Sequence, residues 1–118
     1  MRYKILLLVT MLLLFTCGCS NKTWPLNENT NGVVEPPFIH VDYVMNEFGV
    51  TNATYHGVTE EDSKSYITSL QNRHFVKDVK ENEFLNFYYF TAINNKTNIK
   101  IKYFRLPTGS VIITLDKK

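Results

Sequence analysis

Cysteine is almost absent from this chain. Cys17 and Cys19 are the only two, and none follows them. No internal disulfide is therefore expected in the part that folds, so burial alone must stabilise it. Long apolar runs are scarce too. The single one, Ile5 to Phe15, is broken by Thr10 and falls short of the ~20 apolar residues that cross a bilayer comfortably. The five glycines are scattered and form no phosphate-cradling loop. The three histidines, His40, His56 and His74, lack the i, i+4 spacing of a helical zinc site, so no metal is expected. If the first hairpin turns at Glu47 and Phe48, His40 faces Tyr55 rather than His56. An excess of one charge is also missing. Arg2 and Lys4 are two of the 13 basic residues, which leaves 11 basic against 11 acidic residues after them. Such a balance gives no electrostatic claim on nucleic acid. Lys96, Lys100, Lys102, Lys117 and Lys118 gather late in the chain and read as a solvated strand face and tail.

What the first residues do contain is an export signal. Arg2 and Lys4 precede an apolar stretch of secretory length. It closes on Leu14-Phe15-Thr16-Cys17-Gly18-Cys19. A small residue directly before a cysteine looks like a lipobox, in which the cysteine takes a diacylglyceryl group and becomes the new N-terminus. Gly18 favours Cys19 as that residue over Cys17, which follows Thr16. The expectation is a signal peptide over residues 1–18, lipid on Cys19, and attachment to the extracytoplasmic face of a cell membrane. Two or three acyl chains hold a protein on a bilayer where one does so only marginally.

Residues 19–37 then read as a lipidated N-terminus and flexible tether, rich in Asn, Thr and Pro and without apolar periodicity. Trp24 either lies at the membrane interface or folds back over the core. Residues 38–118 form the expected domain, and a chain starting at Glu35 is expected to fold by itself. Strands are read at Phe38 to Val44 and Val50 to Val58. Thr59-Glu60-Glu61-Asp62 starts a helix, with a capping hydroxyl and three acids in the first turn. Ser63, Tyr66, Ile67 and Leu70 make its buried stripe. Strands follow at Phe84 to Ala92, Asn98 to Phe104 and Ser110 to Leu115, with turns at Asn94 to Thr97 and Leu106 to Gly109. The order is ββαβββ, an α+β two-layer fold with an antiparallel sheet of about five strands and one helix on one face.

This layout resembles a group of small bacterial lipoproteins of unknown function. The resemblance rests on the lipobox, Trp24-Pro25, Pro36-Pro37, Tyr66 to Leu70, Phe75, Phe90 to Asn94 and Val111 to Leu115. In that group a glycine usually precedes the phenylalanine after the helix, where this chain has His74. A glycine is also usual in the late hairpin, where this chain has Asn94-Asn95-Lys96. The resemblance implies no activity, cofactor or catalytic residue.

The residues themselves suggest no enzyme. Glu60, Glu61 and Asp62 are explained by the helix dipole, and Ser63 and Ser65 lack a histidine partner. The unusual feature is Phe87-Tyr88-Tyr89-Phe90. With a turn on Asn95-Lys96, Tyr88 and Phe90 face the core, and Tyr89 lies opposite Lys102. Phe87 and Tyr89, beside Lys100 and Lys102, are then the candidate binding surface, for an envelope protein or glycan, unless the Trp24 segment covers it. The expected role is a non-enzymatic binding or structural domain of the cell envelope. The alternative is a small inhibitor of a protease, lysozyme or phage component, with a rigid anchor near Leu106-Pro107.

Overall fold

The computed structural model describes residues 23–118, so the expected signal peptide and Cys19 lie outside the described part. The fold is α+β. Six antiparallel strands lie in the order β1-β2-β6-β5-β4-β3. They are β1 (Val41–Glu47), β2 (Val50–Tyr55), β3 (Phe75–Phe84), β4 (Phe87–Asn94), β5 (Ile99–Arg105) and β6 (Val111–Lys117). One helix, α1 (Glu60–Gln71), links β2 to β3.

The helix starts as its sequence dictates. Thr59 Oγ1 accepts a hydrogen bond from the Asp62 amide at 3.0 Å, and the three acids occupy the first turn. Ser63, Tyr66, Ile67 and Leu70 are its buried residues. They meet one face of the sheet, the inner face, where Tyr103, Phe90, Ile101 and Ile113 are fully buried. Ser63 Oγ and the Tyr103 hydroxyl are hydrogen-bonded at 2.5 Å, so helix and sheet are joined by polar as well as apolar contact.

The expected five strands are six because residues 75–84 also pair. In β3 only Phe75 is buried, so the strand lacks the apolar alternation by which strands are read. Backbone pairing to β4 holds it at the edge. Its turn, Leu85-Asn86, has both residues at positive φ, 49° and 67°, as a type I′ hairpin requires. Register shifts around Lys77 and a dense run of charges keep this open edge from recruiting another strand. The β1–β2 turn is of the same kind, with Phe48 and Gly49 at φ 55° and 75°. At the other hairpin end Gly109 has φ 92°, and a Cβ there would lie 3.4 Å from the Val58 carbonyl oxygen. The Val58 amide donates to the Gly109 carbonyl at 2.9 Å, which ties the β5–β6 turn to the chain entering the helix.

The segment expected to be a flexible tether is docked over much of its length. A short 3-10 helix, Glu28–Thr30, is closed by a capping box between Asn27 and Thr30. Asn29 Nδ2 donates to the Gly49 carbonyl at 2.7 Å and to Thr51 Oγ1 at 3.3 Å. Val33 is buried, and Trp24 packs half-buried against the core. The Tyr66 hydroxyl donates to the Val34 carbonyl at 2.8 Å. Phe38 then stands edge-on to Tyr55 and Tyr66, at ring separations of 5.3 and 5.6 Å. Polar side chains hold much of this segment, which is why a search for apolar periodicity passes over it.

The core is rich in tyrosine, and that has a consequence at high pH. Desolvation pushes the hydroxyls of Tyr55, Tyr66 and Tyr103 well above the ordinary tyrosine range. The charge on Glu35 adds to the rise at Tyr55 and Tyr66, while the Ser63 hydrogen bond opposes it at Tyr103. The folded chain thus keeps protons that the unfolded chain releases near pH ~10. The stabilisation from these groups is complete below that pH and is lost as pH rises toward the folded-state values. Each such tyrosine contributes a slope of about 1.4 kcal/mol per pH unit. Urea midpoints should change little between about pH 8 and 9.5 and fall steeply above about pH 10. A flat profile through that range would mean that these hydroxyls are not buried.

Candidate functional site

The outer face of the sheet, opposite the helix, carries the candidate surface. Alternation along β4 turns Phe87, Tyr89, Thr91 and Ile93 to the outer face, where Thr91 is nonetheless buried, and points Tyr88, Phe90 and Ala92 into the core. The same alternation turns Lys100, Lys102 and Phe104 outward on β5, and Ile112, Thr114 and Asp116 outward on β6.

All four expected residues therefore share one face, but they do not form one cluster. The β4–β5 loop runs through Asn95, Lys96, Thr97 and Asn98 rather than turning on Asn95-Lys96. The Asn94 side chain holds it, with Oδ1 accepting from the amides of Lys96 at 2.9 Å and Thr97 at 3.1 Å. This moves the register by two residues, an even number, so the faces are kept and the partners change. Tyr89 lies opposite Phe104 rather than Lys102, Thr91 lies opposite Lys102, and Ile93 lies opposite Lys100.

The outer face is consequently divided. Near the Leu85-Asn86 turn it is aromatic. The Phe87 ring stacks on Phe104 at 5.7 Å and 27°, and Tyr89 meets Phe104 edge-on at 6.4 Å and 70°. One row crosses the whole sheet through Tyr43, Thr54, Ile112, Phe104, Tyr89 and Asn82. Tyr43, Ile112, Phe87 and Tyr89 keep 36–40% of their surface exposed. Thr54 Oγ1, within that row, is shielded from water and has no hydrogen-bond partner among the described residues. Toward the other end the face is polar, with a shallow depression of about 190 Å³ among Val50, Lys100, Lys102, Thr114 and Asp116. Trp24 packs with the inner-face core, so among the described residues it does not cover the aromatic half. Phe104 and Ile112 complete the aromatic row and were not singled out from sequence. Phe104 shares the parity of Lys100 and Lys102, and Ile112 is opposite in parity to the inward Val111 and Ile113, and that alternation was the signal available.

A second cluster departs from expectation. A register shift between Val41 and Tyr43 inserts one residue into β1 at Asp42. The hairpin turns on Phe48-Gly49 rather than on Glu47-Phe48, which shifts the register by two, and the inserted residue takes back one, so His40 faces His56 rather than Tyr55. Its carbonyl accepts from the His56 amide at 3.0 Å, and the two imidazoles stack at 4.8 Å and 22°. His56 Nδ1 lies 2.5 Å from Asp42 Oδ1, a contact that fixes the orientation of the ring. A cavity of about 330 Å³ opens beside them, lined also by Phe38, Val58, Asp62 and Ser65. No group of three or more His, Cys, Asp or Glu side chains among the described residues is arranged to hold a metal ion.

Tyr88 borders the core on the β3 side. Its hydroxyl donates to Glu81 Oε1 at 2.5 Å, and desolvation together with that bond raises its pKa well above the usual value. This pair ties β3 to the inner face of the sheet. Compared with protein families, curated protein sequences and solved structures, the chain has no match in any of the three.

Proposed function

We propose that this chain is a lipid-anchored protein of the bacterial envelope, attached through Cys19, whose domain binds an envelope partner on its outer sheet face. The observation that carries the binding half is the aromatic row around Phe104. One face of the sheet is sealed by the helix and the docked N-terminal segment, while the other leaves several large apolar side chains part-exposed and mutually stacked. Contiguous exposed apolar surface on a small domain marks a contact surface. Stacked aromatic rings suit a flat partner, either another protein's apolar surface or the face of a sugar ring. The anchoring half rests on the sequence around Gly18-Cys19 and on the resemblance to small bacterial lipoproteins. No helix among the described residues is long and apolar enough to cross a bilayer.

A photo-crosslinking residue placed at Tyr89 in growing cells tests the surface. It should yield a discrete adduct, protein or glycan by its mobility and enzyme sensitivity, and the adduct should weaken at least about tenfold in a Phe104→Ser background. The same residue at Lys64, on the exposed side of the helix, should give none. Equal adducts from both positions would remove the outer face from consideration.

The alternative, an inhibitor of a protease, lysozyme or phage component, draws on the β3–β4 hairpin. Phe84 and Leu85 are 67% and 72% exposed beside a tight turn. The loop expected to carry such an anchor, at Leu106-Pro107, instead keeps Leu106 half-buried. Loss of inhibition in a Leu85→Ser variant would identify that reading.

A further inference from the structure

The docked N-terminal segment brings the lipid anchor close to one end of the sheet. Asn27 and Asn29 fix this segment to Thr51 and Gly49, beside the Phe48-Gly49 turn. From Cys19 to Trp24 there are five residues of chain, which span at most ~18 Å fully extended. A lipid on Cys19 therefore cannot let the domain wander far, and the end carrying Trp24 is the end that meets the bilayer.

That end has the chemistry of a membrane-contacting surface. Leu26 and Phe48 are each 95% exposed, among the most exposed large apolar side chains of the described residues. They flank the Asn29–Gly49 hydrogen bond, one on each strand of chain that it joins. No folding requirement explains Phe48, since a type I′ turn prefers Asn or Gly at its φ of 55° and the ring packs on nothing. Along this end of the sheet the strand pairing gathers exposed Lys117, the last residue of β6, Lys118 after it, Lys96 in the β4–β5 loop and, at the far edge, Arg73 and Lys77 where the helix gives way to β3. Glu28, Glu47, Asp78 and Asp116 lie there too, with Asp116 paired to Lys118 at 3.2 Å. The opposite end reverses the sign. Glu60, Glu61 and Asp62 sit there against Lys64, its turns, residues 56–59, 85–86 and 106–110, hold no lysine or arginine, and Arg105 beside the last of them is buried. A chain that is balanced overall is thus polarised along its strands.

We propose that this basic end docks directly on an anionic bilayer, with Leu26 and Phe48 entering the interface. The domain then stands with its strands pointing away from the membrane and its aromatic outer face turned sideways, open to a partner. The proposal rests on lipid attachment at Cys19 for its place in the cell, but the surface has its own affinity. Each lysine near an anionic leaflet brings about a fivefold gain in partitioning, screened by salt. The exposed leucine and phenylalanine add an apolar contribution that salt does not screen.

Trp24 is the only tryptophan, so it reports on this corner without labelling. The lipidated full-length mature protein is reconstituted in vesicles of phosphatidylglycerol or phosphatidylcholine with brominated acyl chains. Trp24 fluorescence should be quenched more strongly on phosphatidylglycerol. Leu26→Asp with Phe48→Asp should lose at least about half of that quenching while the lipid keeps the protein on the vesicles. Leu85→Asp, at the opposite end, should leave it unchanged. In parallel, the unlipidated Cys19→Ser chain is sedimented with phosphatidylglycerol vesicles. Replacing Lys96, Lys117 and Lys118 by glutamine should weaken that binding at least about tenfold at low salt. Quenching equal in wild type and in the Leu26/Phe48 variant, or equally reduced by Leu85→Asp, would overturn the docking surface. An unmodified Cys19 in the mature protein would instead overturn the anchor, and sedimentation of the unlipidated chain would still decide the surface.

Discussion

Leu70→Ala is expected to destabilise the domain by ~2–5 kcal/mol, through lost burial and the cavity left behind. Leu70 is fully buried between the helix and the inner face of the sheet. Its neighbours on the stripe, Tyr66 and Ile67, are fixed by the same docking, and Tyr66 is held at its hydroxyl by Val34. The surroundings therefore have little freedom to collapse into the space, which puts the cost toward the upper part of that range. Lys64 points to water from the same helix, and Lys64→Ala should stay within about 0.5 kcal/mol. Urea denaturation of both variants, read as midpoints at constant slope, compares them. A chain of this size has only ~5–15 kcal/mol of stability, so the Leu70 variant should be visibly less stable even before denaturant is added. Equal small effects would mean that the helix does not dock through this stripe.

The second large effect is expected from removing the N-terminal segment. A chain starting at Glu35 should be less stable than one starting at Ser20 by about 2–5 kcal/mol, after the entropy of ordering the segment is set against its contacts. The deletion takes away the buried Val33, the part-buried Trp24, and the hydrogen bonds from Asn29 to Gly49 and Thr51. It also strips the Tyr66 hydroxyl of its carbonyl partner. Sequence alone points the other way, toward independent folding from Glu35, because nothing in residues 20–37 shows apolar periodicity. Coincident urea midpoints for the two chains would restore that view and detach Trp24 from the core.

The parts of the fold that sequence revealed were those written in side-chain periodicity. The helix was legible from Thr59, three acids and the Tyr66-Ile67-Leu70 stripe. The two faces of β4 and β5 were legible even with the wrong register, because a slip of two residues preserves which side chains point inward. Phe87 and Tyr89 were thus placed on the correct face, though with the wrong neighbours. Backbone-held features were not legible. β3 pairs as an edge strand with almost nothing buried, and the β1 bulge at Asp42 moves His40 next to His56 through a single inserted residue. His74 illustrates the same limit at one residue. It adopts φ 77°, a conformation that glycine takes without strain. The backbone demands a left-handed residue there, and the histidine meets that demand at a local cost.

The most direct test of the whole account is the mass of the mature protein extracted from membranes of cells expressing the full chain. The expected species is residues 19–118 with a diacylglyceryl-modified Cys19, partitioning into detergent, and Cys19→Ala should leave the precursor uncleaved or release the protein from the membrane. A mature chain that carries no lipid and begins at another residue would contradict it.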